Sequence, residues 1–82
     1  MPSRLGRRRE PEPNGEIILA EGDYLKVPDG TWYVRPPGSH AGGIPDHDVI
    51  EHEDGTITVS PSILLEGEEG WHGYLKRGVW EW

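Results

Sequence analysis

The chain has 82 residues, of which 33% are hydrophobic, with no cysteine and a formal net charge of −7. A chain of this length holds one domain with a small core, and the absence of cysteine excludes disulfides and thiolate metal sites. The longest apolar run, residues 17–20, is too short to cross a membrane or to form a signal-peptide core. We therefore expect a cytoplasmic protein without a membrane segment.

The charge is divided unevenly along the chain. Residues 1–9 carry four arginines and no acid, whereas residues 10–82 carry a net charge of −11. The proline, arginine and glutamate content of residues 1–15 predicts a disordered basic arm, followed by a single β domain over residues 16–82. An acidic domain repels nucleic acid, but a basic arm can contact phosphate. The candidate nucleic-acid contacts are Arg4, Arg7, Arg8 and Arg9.

Glycine and proline are abundant, with 12 and 8 copies, which favours short strands joined by tight turns. The first strand is predicted over residues 16–20, and a hairpin follows whose turn is residues 27–30, because its Val-Pro-Asp-Gly sequence suits a turn. Alternation in the returning strand places Trp32 and Val34 on one face. Residues 36–45 hold three prolines and three glycines and are expected to form an irregular loop, either structural or for binding.

The dipeptide Asp54-Gly55 lies between alternating segments and predicts a second hairpin with a two-residue turn. This turn pairs Ile50 with Val59 and His52 with Ile57. Those four side chains are expected to share the buried face, while acidic side chains occupy the solvated face.

A closing hairpin is predicted to turn at Arg77-Gly78. Leu75 then pairs with Trp80, and Gly73 pairs with Trp82, whose indole is expected to cover the bare glycine backbone. Together the elements predict an all-β fold, a small antiparallel meander or open barrel-like sandwich of five to seven short strands. The predicted core is apolar throughout: Ile17, Leu19, Trp32, Val34, Ile50, Ile57, Val59, Ile63, Leu75, Trp80 and Trp82.

The possible metal ligands are imidazole and carboxylate side chains: His40, His47, His52, His72, Asp46, Asp48 and Glu51. Their spacings match no named zinc pattern, so we favour unrelated histidines and predict no cofactor. Asp46-His47-Asp48 resembles a base between two carboxylates, but adjacent residues of a strand point to opposite faces and cannot act together. The sequence therefore predicts a protein that is not an enzyme.

Three motifs lie in the second half of the chain: Asp-Gly-Thr-Ile-Thr-Val-Ser-Pro-Ser-Ile over 54–63, Trp-His-Gly-Tyr-Leu over 71–75, and Gly-Val-Trp over 78–80. Their combination resembles a family of small bacteriophage proteins of unknown function, found chiefly in phages and prophages of actinobacteria. The resemblance covers roughly residues 46–82. It implies a viral accessory protein that binds a host or viral protein inside the infected cell.

More distant relatives with similar endings carry cysteines in the loops before the hairpin and before the final strands, which suggests a small metal site. This chain has none, which leaves His40 and His72 as the remnants of such a site. The alternative function is therefore a degenerate zinc-ribbon-like or nucleic-acid-associated module that uses the arginine-rich arm.

If the chain acts by protein contact, the acidic face of the Asp54-Gly55 hairpin and the 36–45 loop are expected to form the surface. The candidate contact residues are Glu51, Glu53, Asp54, His40, His47 and Tyr74. The sequence identifies neither the partner nor the oligomeric state.

Overall fold

All regular structure in the computed structural model, which describes residues 2–67 and 70–82, is β-strand. The strands are β1 (Ser3–Leu5), β2 (Arg7–Arg8), β3 (Asp23–Lys26), β4 (Trp32–Val34), β5 (Gly42–Gly43), β6 (Asp48–Glu51), β7 (Ile57–Ser60), β8 (Ile63–Leu65), β9 (Trp71–Lys76) and β10 (Val79–Glu81). The predicted small all-β fold is confirmed. The described residues hold ten strands rather than five to seven, because several are only two or three residues long.

The strands form two four-stranded sheets and a separate hairpin. Sheet 1 has the order β1-β10-β9-β8, sheet 2 has the order β2-β3-β4-β5, and β6 pairs with β7. Every pairing is antiparallel except that of β2 with β3, which is parallel. The first and second strands of the chain therefore each supply an edge of a different sheet.

Residues 2–9, here called the arginine arm, contain strands β1 and β2, so the prediction of disorder over residues 1–15 is wrong for this part; Met1 lies outside the described residues. Gly6 crosses from sheet 1 to sheet 2, and its N–H donates to Gly78 O at 2.7 Å. The N–H groups of Arg7 and Arg9 donate to Gly22 O and Tyr24 O at 3.0 and 2.8 Å. Backbone pairing with distant strands orders this segment, and composition carries no information about such pairing.

The first half of the chain also departs from the predicted strands. Residues 16–20 form no strand, and Ile17 is exposed while Leu19 is buried. The hairpin of β3 and β4 has the predicted turn, in which Gly30 N–H donates to Val27 O at 2.9 Å. Residues 36–45, predicted to be irregular, contain the two-residue strand β5 on the edge of sheet 2.

The hairpin of β6 and β7 is shifted by one residue from its predicted register. Ile50 pairs with Thr58 and Val49 pairs with Val59, because the loop has three residues, with Gly55 in the left-handed conformation (φ 88°). A shift of one residue moves every side chain of a strand to the other face. Ile50 is consequently 57% exposed, and Val49 packs against the core in its place.

The closing hairpin of β9 and β10 has the predicted register, with Leu75 opposite Trp80. Its two-residue turn, Arg77-Gly78, has positive φ at both residues, as a type I′ turn requires. A Cβ on Gly73 would lie 2.3 Å from Glu81 O and 2.5 Å from Trp71 Cη2. The indole that covers this glycine is therefore that of Trp71, which corrects the prediction of Trp82.

The core is formed by side chains from sheet 1, sheet 2 and the β6–β7 hairpin: Tyr24, Trp32, Val34, Ile44, Ile57, Val59, Ile63, Leu65, Trp71, Leu75 and Trp80. Two predicted core residues, Ile17 and Ile50, are exposed, and Trp82 is only partly buried. Trp80 is fully buried, and its indole N–H donates to Gly22 O at 2.8 Å. This hydrogen bond joins the two sheets beneath the crossing point of the arginine arm.

Candidate contact surfaces

Asp23 anchors the arginine arm to sheet 2. The residue is only 3% exposed, and its carboxylate oxygens lie 3.6 Å from Arg7 Nε and 3.3 Å from Arg9 Nη1. The same carboxylate accepts a hydrogen bond from the Ala20 N–H at 3.0 Å. Burying a carboxylate without partners is costly, so the arm supplies the charges that offset this cost.

Glu51 is held by two cations that also cover an aromatic ring. Its carboxylate oxygens lie 3.1 Å from Arg8 Nη2 and 3.2 Å from Lys26 Nζ. Arg8 Cζ lies 5.0 Å and Lys26 Nζ 6.0 Å from the centre of the Trp32 ring. The hydrogen bond from Lys26, reinforced by Arg8, lowers the pKa of Glu51 below its ordinary value. Glu51 was predicted to be an acidic contact residue, but its charge is compensated within the molecule.

Arg4 differs from the other arginines of the arm. It is exposed and makes no ion pair within residues 2–67 and 70–82, whereas Arg7, Arg8 and Arg9 are all ion-paired to the domain. The arm therefore offers fewer unpaired charges to phosphate than the sequence predicts.

The other predicted acidic contacts lie in the loop between β6 and β7. Glu53 and Asp54 are exposed, and with Glu51 and Arg77 they line an open groove of about 450 Å³. Asp54 Oδ1 accepts hydrogen bonds from Thr56 Oγ1 at 2.6 Å and from Thr56 N–H at 3.0 Å. These bonds lower the pKa of Asp54. The structure thus brings the three predicted acids together, beside an arginine.

Two of the four histidines meet at Ser62. His47 Nε2 lies 3.1 Å from the carbonyl oxygen of Ser62, and His72 Nε2 lies 3.1 Å from its hydroxyl. A carbonyl oxygen can only accept, so Nε2 of His47 carries the proton. His47 Nδ1 is buried and makes no hydrogen bond. His47 is therefore a half-buried residue at a strand junction rather than an exposed contact.

The remaining histidines lie apart from that pair. His52 Nε2 is 2.7 Å from Thr58 Oγ1, on the side of the hairpin opposite to the buried Ile57. His40 is exposed in the loop between β4 and β5, close to Gly67. In the described part of the chain, no group of three or more histidine or acidic side chains is placed to hold a metal ion.

The outer face of sheet 1 carries exposed apolar side chains whose common surface the sequence did not indicate. Burial alternates along β9, so that His72, Tyr74 and Lys76 point outward. Residues that pair directly on neighbouring strands share a face. Leu64 pairs with His72, and Leu5 lies in the same cross-strand row as Lys76, so both leucines are on the outer face.

Three of the large apolar side chains on this face are well exposed. Leu5 is 76%, Leu64 is 59% and Tyr74 is 40% exposed. Of the predicted contacts, only Tyr74 lies here. Alternation in residues 71–76 indicated its exposure, but Leu5 and Leu64 could be added only once the strand order was known.

Comparison with known proteins gives no match: no family model, no curated protein and no solved structure matches the chain. Within the described residues, no helix is long and apolar enough to cross a membrane.

Proposed function

We propose that this chain is a bacteriophage accessory protein that acts without catalysis, by contacting another protein in the cytoplasm of the infected host cell. The phage assignment rests on the resemblance of residues 46–82 to small phage proteins. The mode of action rests on one structural observation, the exposure of Leu5, Leu64 and Tyr74 on the outer face of sheet 1.

Large exposed apolar side chains on one face of a sheet favour a protein contact because burying them in an interface removes apolar area from water. Tyr74 adds a large, rigid ring with a polar tip, a side chain enriched in binding hot spots. Lys76 Nζ lies 4.9 Å from the centre of that ring and 3.7 Å from Glu81 Oε1. Both charges are exposed and flank the ring, as in the polar rim of an interface.

A paired set of variants tests the proposal. Leu64→Lys with Tyr74→Lys places two charges on the outer face, at positions where a lysine head group stays in water. Ile50→Lys is the matched control, because Ile50 is equally exposed but lies on the β6–β7 hairpin. Each tagged chain is expressed in infected host cells, and the captured proteins are identified by mass spectrometry.

We expect the wild type and Ile50→Lys to retain the same partner and the outer-face variant to lose it, with all three melting at similar temperatures. Capture of an identical set by all three would remove the outer face from the proposal. If none of the three tagged chains captures a protein, the proposal that the protein acts by protein contact is wrong. A gel shift with DNA that weakens steeply with salt would instead favour the arginine arm as a nucleic-acid contact.

A further inference from the structure

The arginine arm is attached to the domain by polar contacts with distant residues. Its backbone pairs with β10 and β3, and its arginines pair with Asp23 and Glu51. It buries little apolar surface, since Leu5, the apolar side chain of β1, is the most exposed large hydrophobic residue described. An attachment of this kind is made equally well by an identical arm from another molecule.

The connection that follows the arm is long and contains a sharp turn. Residues 10–22 form no strand, and a turn within them is closed by Gly15 N–H donating to Glu12 O at 3.0 Å. Residues 19–22 are held by the domain, since Leu19 is buried and its carbonyl oxygen accepts a hydrogen bond from Arg35 Nη1 at 3.0 Å. The nine residues 10–18 extend over roughly 30 Å when the turn opens. This length is comparable to the extents of the molecule, 35 × 31 × 21 Å, so an arm can reach the same sheet edges on a second copy placed beside the first.

The connection also carries two apolar side chains that the single molecule does not bury. Ile17 and Ile18 are both exposed, in a segment that is otherwise mostly polar. When two copies exchange their arms, the connection of each copy runs between the same two domains, so the two connections lie close to one another. Ile17 and Ile18 of one copy can then pack against those of the other, which is a contact that the single molecule lacks.

We propose that two copies of this chain exchange their arginine arms, so that each arm completes sheets 1 and 2 of the other copy. Exchange of an identical element costs few contacts and is a common route to dimers. The molecule's own arm competes at a high effective concentration, so the exchanged dimer forms as protein concentration rises. This inference does not depend on the proposed function, which concerns the outer face of sheet 1 and a different partner.

Disulfide trapping tests the exchange cleanly because the chain has no cysteine. Ser3 and Glu81 are direct partners in the pairing of β1 with β10. They form a non-hydrogen-bonded pair, whose Cα atoms lie about 4.5 Å apart, within the range of a disulfide. Ser3→Cys and Glu81→Cys chains, one of them lengthened by a tag, are mixed over a range of concentrations and then oxidised.

A cross-link between the two chains requires the arm of one to lie on β10 of the other. The control mixture pairs Ser3→Cys with Asp29→Cys, a position in the exposed β3–β4 turn, which the arm does not contact. We expect cross-linking of the Ser3–Glu81 mixture to exceed the control several-fold and to rise with concentration, while the mass of the wild type in solution rises from one chain toward two.

A second variant separates exchange from other association. Ile17→Ser with Ile18→Ser is expected to reduce the dimer fraction several-fold without lowering the melting temperature of the dilute protein, because both side chains are exposed in the single molecule. Cross-linking no greater than the control at every concentration would overturn the proposal, even if the mass doubles, because the dimer would then use another surface.

Discussion

The closing hairpin and the arginine arm supply neighbouring strands of sheet 1, yet they are held in different ways. The hairpin joins residues close in sequence through a two-residue turn and buries Leu75 and Trp80 completely. The arm pairs with β10, at positions 74 to 78 residues away, and is fixed to Asp23 and Glu51 by ion pairs, while it leaves Leu5 in water. The β9–β10 pair, whose strands are close in sequence, is stabilised by apolar packing, whereas the arm, which is distant in sequence from β10, is stabilised by polar contacts.

The hairpin is expected to be the more sensitive of the two regions to a single methyl group. In Gly73→Ala the new Cβ would lie 2.3 Å from Glu81 O, a backbone atom that cannot move without opening the pairing. We expect the free energy of unfolding to fall by about 3 kcal/mol or more, measured by urea denaturation. Gly43→Ala is the control, since its Cβ meets only the half-exposed Tyr33 ring, at 3.1 Å. Equal losses in both variants would mean that Gly73 is not tightly enclosed.

The crossing point of the arm is the next most sensitive position. In Gly6→Ala the Cβ would lie 2.7 Å from Trp80 Nε1 and would disturb the hydrogen bond from that indole to Gly22 O. We expect a loss of about 1–3 kcal/mol, accompanied by a shift of tryptophan fluorescence. A variant as stable as the wild type would show that the arm does not cross over Trp80.

The anchor of the arm is expected to contribute less, because the arginines that face Asp23 are partly in water. Asp23→Asn keeps the side-chain shape but removes the charge that pairs with Arg7 and Arg9. We expect a loss of about 1–2 kcal/mol, which shrinks moderately as salt is added because the arginine partners are partly exposed and salt screens charges that reach solvent. Asp48→Asn, an exposed acid with no ion pair in the described residues, should change stability by less than about 0.5 kcal/mol. Matching effects from the two variants would contradict the anchor.

The smallest effect is expected from Glu51 and depends on pH. Its folded-state pKa is lowered, so its contribution to stability is complete above its ordinary pKa of 4.5 and is lost as pH falls through the lowered value. The difference in melting temperature between the wild type and Glu51→Gln should therefore decrease below pH 4.5. At neutral pH it should correspond to less than about 1 kcal/mol, since the ion pairs are partly exposed. A difference that grows on acidification would contradict the lowered pKa.

Sequence patterns sufficed where a turn fixes the pairing of its flanking strands. Arg77-Gly78 takes a two-residue turn, so the register of the closing hairpin could be predicted through Leu75 and Trp80. Asp54-Gly55 gave the position of a hairpin but not its register, because the glycine completes a three-residue loop. The one additional residue in the loop determines which face of β6 is buried.

The arm and the outer face of sheet 1 could not be predicted in the same way. The arm is ordered by partners such as Asp23 and Gly78, which are distant in sequence, and its composition resembles that of a disordered segment. The outer face carries Leu5 and Leu64 on its two edge strands, and the fact that they share a face follows only from the order of four strands. Glu51 was predicted to be free to contact a partner, because the cations that compensate its charge lie elsewhere in the chain.

Hydrogen exchange of the arm amides tests most directly whether the arm is part of the fold. The N–H groups of Arg7 and Arg9 donate to Gly22 O and Tyr24 O, so we expect them to exchange at least about tenfold more slowly than in an unfolded chain. In Asp23→Asn this protection should fall while that of the Tyr74 and Glu81 amides, which pair with each other within the closing hairpin, is kept. Exchange of the Arg7 and Arg9 amides at the unfolded rate in the wild type, with the closing hairpin protected, would contradict an ordered arm.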